Sequence, residues 1–145
     1  MVMLKKLSGA AVTMFAVMLA SSPATAATSS QTTRLAWDCA NEFEQNDGDA
    51  GGSSGEVRGY WTGLPATLTA RFRAYGEVLT VKNDFAPRWV NVTLYRLTPN
   101  GNILIADATT DQESKTRDLN LAEGLKVFIR MSYNGNRCNS NVFTT

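Results

Sequence analysis

Residues Leu125-Lys126-Val127-Phe128-Ile129-Arg130-Met131-Ser132-Tyr133, closed by Asn134-Gly135, form the longest alternating run in the chain. Successive side chains of a strand point to opposite faces, so Leu125, Val127, Ile129, Met131 and Tyr133 share one apolar face. Asn-Gly tolerates the positive φ of a tight hairpin turn and sends the chain back through Cys138 towards Val142-Phe143.

The same period recurs upstream. In 34–40, Leu35, Trp37 and Cys39 fall at period two and read as the first strand. Residues 57–61 make a short strand closed by Gly63 and Pro65. In 67–75, Leu68, Ala70, Phe72 and Ala74 face one way, and Thr69, Arg71 and Arg73 face the other. Residues 78–81 are short and apolar. In 89–97, Val90, Val92 and Leu94 oppose Trp89, Thr93, Tyr95 and Leu97, and Asn100-Gly101 predicts a hairpin into Ile103-Leu104-Ile105. Leu119 and Leu121 begin a strand-like piece that ends at Glu123-Gly124. Two segments lack any apolar period. Residues 44–56, with Gly51, Gly52 and Gly55, predict a flexible surface loop, and 109–118 predict a long polar one. About eight short strands and no helical period predict an all-β fold. An antiparallel β-sandwich is the expected architecture, with a small β-barrel as the alternative.

The N-terminus has a different organisation. Lys5 and Lys6 precede the apolar run 10–20, then Pro23 and the small triplet Ala24-Thr25-Ala26. That order is the one of a cleavable export signal, with cleavage expected after Ala26. The run is shorter than the roughly 20 residues that a membrane-spanning helix needs. Ala27 stands where a lipid-bearing cysteine would be required. Residues 27–33 are small and polar and read as a disordered tail, which leaves 34–145 as one domain. The expected location is extracellular, with no membrane contact in the mature form.

Cys39 and Cys138 are the two cysteines, and in an oxidising compartment they are expected to pair as a structural bridge. No C-x-x-C spacing points to redox work. The chain has 14 basic and 13 acidic residues, and loss of Lys5 and Lys6 turns its formal +1 into −1. Such a balance gives no global field for nucleic acid.

Histidine is absent from the sequence, which excludes a histidine general base and His-containing zinc sites. Carboxylate acid–base chemistry stays open, but the dense acids Glu42, Glu44, Asp47 and Asp49 sit on the segment read as flexible. Glu44, Asp47 and Asp49 are weak calcium candidates, since their spacing does not match an EF-hand loop. No cofactor is expected. Tyr60, Trp61, Trp89 and Tyr95 are candidates for an aromatic platform on which a sugar or a partner protein would stack, ordinary packing being the competing reading. Arg71 and Arg73 share a strand face, with Arg58, Arg88 and Arg96 on neighbouring segments, and are candidates for an anion site. Asn91-Val92-Thr93 fits a glycosylation acceptor, although mid-strand placement argues against its use. The functional expectation is a secreted, non-enzymatic binding or surface-associated module for carbohydrate or protein. The alternatives are an inhibitor of an extracellular enzyme and a small carboxylate-dependent hydrolase.

Overall fold

A computed structural model describes residues 35–45 and 52–145. The stretches read as an export signal and a polar tail, together with Asp47 and Asp49, lie outside the described residues. Ten strands follow in order: β1 (Trp37–Gln45), β2 (Ser53–Trp61), β3 (Thr67–Arg73), β4 (Val78–Asn83), β5 (Asn91–Thr98), β6 (Gly101–Asp107), β7 (Ser114–Asp118), β8 (Lys126–Tyr133), β9 (Asn136–Asn139) and β10 (Phe143–Thr144). They form two antiparallel sheets. Sheet I has the order β1-β2-β3-β4-β7, and sheet II has β10-β8-β5-β6 with β9 also paired to β8. Neither closes into a barrel, so the fold is a β-sandwich with ten strands where the sequence suggested about eight.

The alternation read from the sequence accounts for the core. Val57, Leu68, Ala70, Phe72, Leu79 and Val81 of sheet I are buried against Val92, Leu94, Val127, Ile129 and Met131 of sheet II. The two Asn-Gly turns fall where expected: Gly101 closes β5 onto β6, and Asn134-Gly135 closes β8 onto β9 with φ of 46° and 80°. The bridge between Cys39 and Cys138 is formed, with Cα atoms 5.7 Å apart. It joins β1 of sheet I to β9 of sheet II, and Trp37 Nε1 donates to Cys138 Sγ at 3.2 Å. Closing a loop with a sequence separation of 99 stabilises the fold by at most about 4–5 kcal/mol in the chain-entropy model.

Three expectations are corrected. The segment 44–56 is no loop at its ends, because β1 runs on to Gln45 and β2 starts at Ser53. Its small residues hid the strand. Gly55 faces the core where the Phe143 ring lies, and Ser53 Oγ accepts from Thr144 N–H at 2.8 Å. Residues 109–118 contain β7, an edge strand that pairs only with β4 and stays largely exposed, so it needs no apolar period. Leu119 and Leu121 lie outside any strand. They pack on the rim of the core while Leu119 N–H donates to Glu77 O at 2.9 Å.

Two glycines of β2 are required by space. A Cβ at Gly55 would overlap the Phe143 ring, and one at Gly59 would overlap the Trp37 indole and press on Met131. Gly55→Ala and Gly59→Ala should each cost roughly 1–3 kcal/mol, as overpacking does in a filled core. Urea unfolding of the two variants checks this, and midpoints equal to that of the parent protein would show that the rings can move aside.

Asp107 ends β6 and caps the following turn. Its carboxyl is held below the usual carboxylate range, first by the Thr109 N–H, which donates to Oδ1 at 2.7 Å, and then by the Thr109 hydroxyl. Lys115 and Arg117 add to this against partial burial. A carboxyl lowered on folding stabilises the native state above its unfolded pKa of about 4, and the effect is lost as pH falls through the lowered value. Asp107→Asn should therefore be less stable than the parent at neutral pH and converge with it as pH falls below the lowered value. A gap of the same size at both ends of a pH series of denaturation curves would assign the loss to something other than charge.

Candidate functional site

Core packing dictates what faces outward from sheet I. With Val57, Leu68, Ala70, Phe72, Leu79 and Val81 turned inward, the intervening residues of β2, β3 and β4 line the outer face. The register sets Glu56 beside Arg71 and Arg58 beside Thr69 across β2 and β3. It sets Thr80 beside Arg71 and Lys82 beside Thr69 across β3 and β4. Together with Thr67, Arg73 and Asp84 they bound an open trough of about 510 Å³. Asp84 fixes one end, since its Oδ2 accepts from both the N–H and the hydroxyl of Thr67 at 3.1 Å.

Four cations line this trough, and they differ in how they are engaged. Arg58 bridges Glu56, two residues before it, and Glu42 of β1 at 3.1 Å. Arg71 reaches across β2 to Glu44 of β1 at 2.8 Å. Arg73 and Lys82 are exposed, and no carboxylate among the described residues lies within ion-pair distance of either. Arg73 pairs with Val78, four positions before Lys82, so the two lie about 13 Å apart along the strands at roughly 3.3 Å per residue. Thr69, Arg71 and Thr80 occupy the span between them.

The anion candidates Arg71 and Arg73 thus share the outer face of sheet I, joined by Arg58. Arg88 lies in the β4–β5 connection, away from this face, and Arg96 lies on β5 of the other sheet. The four aromatic candidates do not form one platform. Tyr60 faces outward and its hydroxyl donates to Asp38 Oδ2 at 3.3 Å. Trp61, its neighbour, points to the opposite side and meets Trp37 edge-on at 5.4 Å. Tyr95 stacks on Phe128 at 5.4 Å on the outer face of sheet II, beneath the Arg130 guanidinium at 4.8 Å. Trp89 alone projects into solvent, 63% exposed. Glu44 is engaged by Arg71, and among the described residues no group of three or more His, Cys, Asp or Glu could hold a metal. Glu42 and Glu56 oppose each other on β1 and β2, with Arg58 between them. Asn91 is exposed at the head of β5 rather than mid-strand.

Sequence reasoning passed over Lys82, Thr67, Thr69, Thr80 and Asp84 as site residues. Their polarity at alternate positions was a usable signal. What the sequence lacked was the β3–β4 register that places Lys82 next to Thr69. A scan against protein-family models, a search of curated proteins and a search of solved structures each find no match.

Proposed function

We propose that this chain is an exported, non-enzymatic binding module whose trough on sheet I takes an extended acidic polysaccharide. The observation that carries the reading is the pair Arg73 and Lys82, neither with an ion-pair partner among the described residues, about 13 Å apart along the strands with threonine hydroxyls between them. A single small anion would engage only one of them. A chain bearing repeated carboxylates and hydroxyls would engage both and the threonines as well. An arginine fork suits a carboxylate in particular, through two parallel hydrogen bonds.

Export is supported by the inter-sheet disulfide, which persists in oxidising compartments, and by the order of charged, apolar and small residues at 1–26. Among the described residues no helix is long and apolar enough to cross a membrane. With a nearly neutral chain, attraction of the ligand is local to the trough and not a long-range field.

Retention on immobilised polygalacturonate, with neutral dextran as the control, tests this reading. The parent protein should be held by the acidic polymer and released as salt rises, because exposed charges are screened within about 8 Å at physiological ionic strength. Arg73→Ala with Lys82→Ala should weaken retention about tenfold or more, the size of a lost hot spot. Glu44→Gln should strengthen it by freeing Arg71. Equal retention on dextran, or a double variant that binds as well as its parent, would remove the trough from consideration.

A further inference from the structure

The β4–β5 connection begins at Asp84, which closes one end of the trough, and runs to Trp89, the most exposed of the three tryptophans. We propose that the cleft beside Trp89 is a second binding site, for a single sugar ring bearing a carboxylate. This inference rests on the acidic-polysaccharide reading for its ligand class, and on its own geometry for the site.

The backbone on both sides of Trp89 is clamped. Asn83, fully buried, donates from Nδ2 to Arg88 O at 2.8 Å and accepts from Phe85 N–H at 3.1 Å. Arg88 N–H donates to Phe85 O at 3.2 Å. On the other side, Val90 and Thr110 exchange both backbone hydrogen bonds, at 2.9 and 3.0 Å. With the backbone so held, only the two side-chain torsions of Trp89 are left to be ordered on binding.

The groups around the ring define the ligand. Arg88, Trp89, Tyr133 and Asn134 line a cleft of about 300 Å³, the lower end of the range for small-molecule pockets and enough for one ring. Tyr133 stacks with Phe85 at 5.1 Å and with Trp37 at 5.9 Å, so its ring faces are engaged and its hydroxyl edge is what it offers. Arg88 Nη1 donates to that hydroxyl at 3.5 Å, and no carboxylate among the described residues pairs with Arg88. Asn134 is fixed in the β8–β9 turn with φ 46°. The site therefore offers one aromatic face, one uncommitted cation and a polar rim. A pyranose presents the matching set: an apolar C–H face for the indole, hydroxyls for Asn134 and Tyr133, and a carboxylate for the Arg88 fork. A neutral sugar leaves the guanidinium unused, and an aliphatic side chain leaves the whole rim unused.

Tryptophan fluorescence reads the site directly, because Trp37 and Trp61 are half-buried and packed on each other. Galacturonate oligomers should shield the parent protein from acrylamide quenching, and matched dextran oligomers should not. Trp89→Ala should abolish the shielding and weaken oligomer binding about tenfold. Trp89→Phe, which keeps an aromatic face, should restore part of the affinity, and Arg88→Gln should lose the preference for uronate over neutral oligomers. Far-UV circular dichroism and urea midpoints matching the parent confirm that the variants are folded. If Trp89→Ala binds like the parent while Arg73→Ala with Lys82→Ala does not, the cleft is no site and the trough reading stands. If Trp89→Ala fails while the double variant binds normally, the cleft is the site and the trough is not. No shielding of the parent by any uronate oligomer overturns the cleft, and loss of polymer retention as well overturns both.

Discussion

The sandwich closes over two glycines. β2 is the strand of sheet I over which Trp37 and Phe143 enter the interior, and at Gly59 and Gly55 their rings lie where a Cβ would otherwise stand. Aromatic rings fill the large volume between sheets that small strand residues leave, and here the fit is to the backbone itself. Phe143 stacks on Phe72 at 5.3 Å, and Trp37 links Trp61 to Tyr133, so each ring seated over a glycine is also the start of an aromatic contact with a neighbouring strand. The disulfide joins β1 to β9 beside Trp37, whose Nε1 donates to Cys138 Sγ.

Parity is what ties the core to the proposed trough. A slip of one residue in β3 would bury Thr69, Arg71 and Arg73 and expose Leu68, Ala70 and Phe72. The apolar set allows one parity only, so the outward row is as firmly determined as the inward one. The cations of the trough owe their positions to side chains that never meet a ligand. This is also why the face is built on strands and not on loops: held at backbone spacing, Arg73 and Lys82 keep their separation.

The sequence revealed parity but not register. Alternation in 67–75 and 125–133 gave the inward faces, and the two Asn-Gly pairs gave two hairpins, because both signals are local. Ser53, Ser54 and Gly55 sit in a strand that has no apolar period of its own, since the apolar mass at Gly55 comes from Phe143, far along the chain. β7 was hidden for the opposite reason, being a charged edge with little to bury. At the site, Arg71 and Arg73 were legible as a pair from spacing two, whereas Lys82 and Thr80 joined them only through strand pairing. Trp61 and Trp89 looked alike as residues, and the structure separates them: one closes the sandwich end against Trp37, the other stands in solvent on a clamped connection.

The acids of β1 give the proposed trough a direction. Glu42 and Glu44 hold Arg58 and Arg71 from the β1 side, and Asp38 lies on the same outward row. A polyanion laid across the strands would pass over this acidic margin and be repelled, while one laid along β3 and β4 would meet Arg73, the threonines and Lys82. The same carboxylates explain how a face with four cations belongs to a chain of nearly zero net charge. They neutralise the arginines nearest the edge, so that in the proposed mode attraction is concentrated in Arg73 and Lys82, which have no ion-pair partner among the described residues, and depends on the spacing of charge along the ligand more than on its total. In the proposed mode the chain selects an extended polymer by geometry, and the ion pairs beside the trough exclude the compact anions that a bare arginine cluster would collect.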